Sequence, residues 1–184
     1  RNTAVGLHTL RFNIAGGSNV AIGEYCMDCD AVAGAGDFNT AVGSNALNAN
    51  KAGGGDYNVA IGYKALNIAT TGGNNVAVGA NALRDVVTNG FNTAVGNSAG
   101  LHITGTGNVC MGESALVTAT SPNQNVCIGW RAGYDITTGA TNVYLGHSIR
   151  RPPTSRADRA TFSSATMYAA GSVKPGLASS ISAT

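Results

Sequence analysis

Polar and aliphatic residues recur along this chain in a five-residue motif, Asn-[Thr/Val]-[small]-[aliphatic]-Gly. The motif occurs nine times at intervals of 16 to 20 residues, beginning at Asn2, Asn19, Asn39, Asn58, Asn75, Asn92, Asn108, Asn125 and Asn142. So short a period suits one coil of a β-solenoid, in which each repeat stacks on the last and contacts mainly its neighbours. The spacing predicts an all-β solenoid or β-roll of about nine coils over residues 1–149.

The alternation of side chains within one motif predicts which residues face the interior. Val59 and Ile61 lie on one side of the strand, and Asn58 and Ala60 on the other, because successive side chains of a strand point to opposite faces. The second residue is Val or Thr and the fourth is aliphatic in every copy, so we expect these two columns to form the core. The glycine predicts a corner with positive φ.

Two variable residues follow each glycine, and an Ala-Leu pair follows in several coils. The variable pair, such as Tyr63-Lys64, predicts a solvent-facing corner. Ala65-Leu66 is one of the Ala-Leu pairs. The asparagine at the start of every strand predicts a ladder of hydrogen bonds along the rod or a cap on the adjoining turn.

The third motif residue is small in eight of the nine copies, and it is expected to lie opposite the core. It is Ala in six copies, then Cys110, Cys127 and finally Tyr144. A column of small residues permits close approach by another surface, and only 11% of the residues are charged, against about 25% in ordinary soluble domains. The pattern therefore predicts a parallel homotrimer in contact through the third column.

Composition and charge exclude several classes of protein. Apolar residues make up 43% of the chain, too many for a disordered polar chain, and no apolar run reaches the ~18–20 residues of a membrane span, so we predict no membrane insertion. The chain opens inside a repeat without Met, which suggests a piece of something longer.

Basic residues are concentrated at the C-terminal end of the chain. Residues 1–146 carry six Lys/Arg and eight Asp/Glu (net −2), whereas residues 147–184 carry five and one (net +4). Pro152-Pro153 and many Ser, Ala and Thr residues indicate that residues 150–184 are an extended segment or a connection to a following domain. No array of interleaved aromatic residues accompanies the basic residues, so we predict no nucleic-acid partner.

The cysteines and histidines do not form a recognisable site. Cys26 and Cys29 form a C-x-x-C motif, but the second pair of ligands that a zinc site needs is missing. We expect both cysteines on a corner or loop. His8 could approach Cys26 from the neighbouring coil. Cys110 and Cys127 share one column a coil apart, where parallel side chains predict free thiols that act as small apolar fillers.

Asp37 and Asp56 are the best candidates for catalysis, because they fall in successive turns and could stack as a carboxylate pair of the kind that cleaves glycosides. Asp is also favoured in turns for structural reasons, which is the interpretation we prefer. We therefore predict a protein without enzymatic activity and assign no catalytic, cofactor-binding or metal-binding residue.

Aromatic residues at the corners are the better candidates for binding. Tyr63 and Trp130 follow the motif glycine, where a sugar could stack on them or where they could pack on neighbouring side chains. Phe38, Tyr57 and Phe91 precede the motif asparagine and could wedge the turn. Both interpretations stay open at this point.

The sequence Asn-Thr-Ala-Val-Gly-x-x-Ala-Leu, present at residues 39–47, resembles the repeats of bacteriophage tail-fibre and related virion-fibre proteins. It is similar, more loosely, to the Ser-Val-Ala-Ile-Gly head repeats of trimeric autotransporter adhesins. The resemblance covers residues 1 to about 149. Residues 150–184 resemble neither the self-cleaving trimerisation domain of many phage fibres nor the adhesin membrane anchor.

This resemblance implies a trimeric, extracellular rod that projects from a virion, contacts other virion proteins and attaches to a host glycan or protein, or spaces a receptor-binding tip. The alternatives are a bacterial surface adhesin and, less well supported, a polysaccharide-cleaving tailspike. An ice-binding solenoid is disfavoured, because Thr takes the second motif position only at Thr3, Thr40 and Thr93 and is expected to point inward.

Overall fold

The chain folds as a β-solenoid of about eight turns. The computed structural model describes residues 1–13, 15–28, 36–48, 55–148 and 167–169. Within these ranges there is no helix and every strand has three residues: β1 Thr3–Val5, β2 Val20–Ile22, β3 Thr40–Val42, β4 Val59–Ile61, β5 Val76–Val78, β6 Thr93–Val95, β7 Val109–Met111, β8 Ser121–Asn123, β9 Val126–Ile128, β10 Thr138–Ala140, β11 Val143–Leu145 and β12 Met167–Ala169. The predicted all-β solenoid is confirmed, with about eight turns where about nine coils were expected.

The motif copies form one parallel sheet that runs along the rod. Its ten strands follow the order β1-β2-β3-β4-β5-β6-β7-β9-β11-β12, and a second sheet contains only β8 and β10. Every pair is in register, so that Ala60 aligns with Ala77 and Ala77 with Ala94. Residues with the same place in the motif therefore form straight columns along the rod axis. Through β12, part of the segment 150–184 joins this sheet.

Left-handed backbone conformations bend each coil at three recurring places. Non-glycine residues take φ values of 48° to 62° just before the motif asparagine, at the second residue after the glycine, and at the fourth. Tyr57, Lys64 and Leu66 are the three in one coil. Their N–H groups donate to Asp37 O, Ser44 O and Ala82 O in the adjacent coils. These bonds between coils stabilise a conformation that costs a non-glycine residue roughly 1–2 kcal/mol.

The motif glycines form the tightest column of the rod. Their φ values lie between 122° and 138°, which confirms the predicted corner. A Cβ atom on Gly79 would also lie 2.5 Å from the carbonyl oxygen of Gly96 in the next coil. The column therefore needs glycine both for its backbone conformation and for the close contact between coils.

The interior is built from the residues that were expected to face outward. The third motif residues from Ala21 to Tyr144 are buried, with the motif asparagines of coils two to eight beside them. Across the coil they are joined by the Ala-Leu pairs and by a further column made up of Ala69, Val86, Ile103, Ala119 and Ile136. The second and fourth motif residues lie on the outer surface, half-buried or exposed.

The prediction of which strand face points inward is thus wrong, although the predicted alternation of side chains between the two faces is right. A coil of 16 to 20 residues encloses a narrow interior, and the Leu side chains that enter from the opposite wall leave room only for Ala or Cys on most strands. Asn enters the interior because other coils satisfy its hydrogen bonds, which removes the usual cost of burying an amide. The third column consequently cannot line a contact between copies, and the argument that based a trimer on it is wrong.

Candidate functional site: the outer face of the sheet

The second and fourth motif residues form a continuous outer surface, which we call the outer strip. It contains only Thr and Val in the second column and Val, Ile, Met and Leu in the fourth, without a charged residue in any of the nine motif strands. Val5, Ile22, Ile61, Met111, Ile128 and Leu145 are 39–57% exposed. Nine strands spaced about 4.8 Å apart and about 10 Å wide make a strip of roughly 400 Å², which matches the largest apolar patches of monomers, many of them functional.

The asparagine ladder runs beside this strip with the same spacing from coil to coil. The Asn75 side chain accepts a hydrogen bond from the backbone N–H of Asn92 at 3.0 Å and donates to Asn89 O at 3.0 Å. The same acceptor bond joins each motif asparagine to the next, from Asn2 to Asn142. The predicted ladder is confirmed, and it presents the outer strip as a regular surface.

The edge at which the strands begin carries aromatic and acidic side chains. The rings of Phe38 and Tyr57 stack at a centroid distance of 5.0 Å and an angle of 3°, and both are exposed. Asp37 and Asp56 lie beside them, but each carboxylate accepts a backbone N–H from the preceding turn: Gly17 N to Asp37 at 2.6 Å, and Asp37 N to Asp56 at 2.8 Å. These bonds support the structural interpretation of the two carboxylates rather than the catalytic one.

The edge at which the strands end carries cations over aromatic rings. The Lys64 ammonium lies 5.1 Å from the centroid of Tyr63. The Arg131 guanidinium lies 4.5 Å from Trp130 and 5.2 Å from Tyr134.

The His147 ring also stacks on Trp130, with the centroids 4.5 Å apart. Trp130 therefore packs on neighbouring side chains, which favours that interpretation over sugar stacking. Tyr63 remains 50% exposed.

Cys110, Cys127 and Cys26 are free and buried. Burial raises the pKa of the Cys127 thiol to about 12 and that of Cys26 to about 11, and it raises the pKa of Cys110 well above its usual value. The prediction for Cys110 and Cys127 is confirmed. Cys26 is not on a corner, because Cys26-Met27 takes the buried place that Ala-Leu occupies in other coils. Cys29 lies outside the described residues.

A polar cluster on the surface was not predicted. Asp85 accepts two hydrogen bonds from Arg84, at 2.8 and 2.9 Å, and lies 2.5 Å from Nδ1 of His102 in the next coil. The hydrogen bonds from Arg84, more than those from His102, lower the pKa of Asp85. The interval of 17 residues between Asp85 and His102 equals one repeat, and this is the signal that places them together.

His8 stacks on Tyr25 at 5.0 Å rather than serving a cluster of metal ligands. Across the part of the chain that the structure describes, no three His, Cys, Asp or Glu side chains lie close enough to hold a metal ion. The same residues contain no helix with the length and hydropathy of a membrane span. Comparison with protein-family models, curated proteins and solved structures finds no match for this chain.

Proposed function

We propose that this chain is a structural shaft of an extracellular fibre, in which three copies associate in parallel through their outer strips. The observation that carries the proposal is the outer strip itself, which is apolar, uncharged and as long as the described rod. Apolar patches of this size are often functional, and a contact with another macromolecule is one such function. A second copy offers an equally long strip with the same spacing between strands.

The number of copies is proposed from the motif resemblance, because the area of the strip is the same for each copy in a pair and in a ring. Two strips face to face would bury roughly 800 Å², below the about 1,200–2,000 Å² of a stable pairwise interface. Three strips around one axis would bury roughly 1,200 Å² over three contacts, and each copy would then have two neighbours whose edges also meet. The trimer expected from the third column is therefore proposed again, but through the opposite face of the strand.

The motif resemblance supports placing the fibre on a bacteriophage virion, where it would contact other virion proteins and bind a host surface glycan or protein, or space a receptor-binding tip. A bacterial adhesin head is the alternative from the same resemblance. We propose no enzymatic role, because Asp37 and Asp56 each accept a backbone N–H of the preceding turn, which is the structural role that Asp commonly has in turns. Ice binding remains poorly supported. Thr3, Thr40 and Thr93 do lie on the outer strip, but Thr takes the second motif position in only three of nine copies.

Sedimentation equilibrium of the whole chain tests the association. We expect a mass of three chains for the native sequence and of one chain for the double variant Ile61→Glu/Val78→Glu, whose charges lie on the outer strip. Thr71→Glu/Thr88→Glu is the matched control, because both threonines are exposed and lie outside the strip. A single-chain mass for the native protein, with the far-UV circular dichroism of a folded sheet, contradicts the trimer.

Attachment is tested separately from assembly. The native trimer is applied to immobilised host-surface glycans and to intact bacterial cells, with the Ile61→Glu/Val78→Glu variant as the comparison. Saturable binding by the trimer supports an attachment role. A trimer that binds neither surface is a spacer.

A further inference from the structure

The two ends of the fourth motif strand carry different chemistry. In the fourth coil, Asp56 and Tyr57 are exposed at the start of the strand, and Tyr63 and Lys64 flank its end. Among the described residues no carboxylate pairs with Lys64, and no cation pairs with Asp56. One carboxylate oxygen of Asp56 accepts a hydrogen bond from the N–H of Asp37, which leaves the other oxygen available to a partner.

Symmetry determines which ends meet when outer strips associate. In a closed ring of parallel copies, all copies lie at the same height and every contact is of one kind. The strands run across the strip, so the start of a strand in one copy meets the end of the same strand in the next copy. In an antiparallel pair related by a dyad perpendicular to the rods, like ends meet instead.

We infer that, in the assembly proposed above, Asp56 and Tyr57 of one copy contact Lys64 and Tyr63 of the next copy. This inference rests on the proposed function and extends it to the orientation and height of the copies. The contact places opposite charges together at the rim of the outer strip and adds two exposed aromatic rings to the buried area. Rim charges of this kind select the partner and its register more than they add affinity.

Cysteine cross-linking tests the inference directly, in a Cys29→Ser background. The variants are Tyr57→Cys alone, Tyr63→Cys alone, and the two together. Within one chain the two positions lie beyond opposite ends of the three-residue strand, which alone spans about 10 Å at about 3.3 Å per residue, and a disulfide needs Cα atoms within about 7 Å. We expect mild oxidation to link the double variant into covalent two- and three-chain species, while each single variant runs as one chain on a non-reducing gel.

The outcomes separate this inference from the proposed function. Linking by the single variants as efficiently as by the double variant would show that like ends meet and overturn the inference. A double variant that sediments as a trimer yet does not cross-link also overturns it, with the trimer intact. A single-chain mass in all variants contradicts the proposed function itself. As a second measurement, Lys64→Glu is expected to raise the dissociation constant of the assembly at least twofold at low salt.

Discussion

At the scale of single residues, the motif glycine has two functions, and only one of them was predictable. Positive φ follows from its place at a corner, because glycine takes such conformations at little steric cost. The close contact between glycines of successive coils depends on the distance between coils. The sequence of a single repeat does not reveal that distance. Gly79 and Gly96 show that contact most clearly.

Gly79→Ala is therefore expected to lower the free energy of unfolding by at least about 2–3 kcal/mol, since it combines backbone strain with a clash against Gly96 O. Urea denaturation followed by circular dichroism measures the change. Gly17→Ala is the control, because a Cβ there meets only an Asp37 carboxylate oxygen, at 3.6 Å. It should shift stability by less than about 1 kcal/mol, and equal losses in the two variants would show that the glycine column is not special.

The buried thiols predict how stability changes with pH. Because burial raises the pKa of Cys127 from 9.0 to about 12, the folded state holds this proton more tightly than the unfolded state does. The contribution of this protonated thiol to the free energy of unfolding is complete below pH 9 and is lost as the pH rises from 9 towards 12. Each such thiol removes about 1.4 kcal/mol per pH unit in that window.

Cys110→Ala/Cys127→Ala should accordingly flatten the fall of the urea midpoint between pH 8 and pH 10.5. Ala is the natural control residue here, since six other coils have it in this column. The quantity to compare is the slope with pH rather than the absolute stability, which also reflects lost volume. An unchanged slope would mean that neither thiol is protected by the fold.

At the scale of the elements, the asparagine ladder was predicted but its depth was not. Repetition at the start of every strand indicates hydrogen bonding from coil to coil, and the structure confirms it. Full burial of Asn75 and Asn92 was not predicted, because a buried amide is costly unless every bond is satisfied. That satisfaction comes from residues 13 to 17 positions away and is visible only when the coils are stacked.

Asn75→Ala should cost about 2–4 kcal/mol, because it leaves the N–H of Asn92 and the carbonyl of Asn89 without their partner. Asn97→Ala is the matched control: Asn97 lies on the exposed corner and accepts only a hydroxyl from Ser98. Its effect should stay below about 0.5 kcal/mol. Chemical denaturation of both variants decides whether the ladder stabilises the rod or merely follows its spacing.

At the scale of the whole molecule, the period predicted the fold and the motif parity predicted which residues share a face. The choice of the inner face was wrong because it assumed that the larger aliphatic residues of a strand always fill the core. In so narrow a coil, Leu66 and Leu83 from the opposite wall occupy that space, which only the stacked structure reveals. The error is informative, since it turns Val59 and Ile61 into a surface available for contact with another molecule.

A solenoid whose coils contact only their neighbours should be less stable at its first coil than in its middle. The N–H of Thr3 donates to Asn19 O at 2.8 Å, and that of Val76 donates to Asn92 O at the same distance. Local geometry alone predicts equal protection from hydrogen exchange. Among the described residues the strand of Thr3 pairs with one neighbour and that of Val76 with two. In a sample of these 184 residues, opening the coil of Thr3 therefore disrupts a single contact between coils, and we expect the Thr3 amide to exchange about 100-fold faster or more. Exchange measured by NMR at pH 7 compares the two amides in one sample, and equal rates would mean that the rod unfolds as one unit.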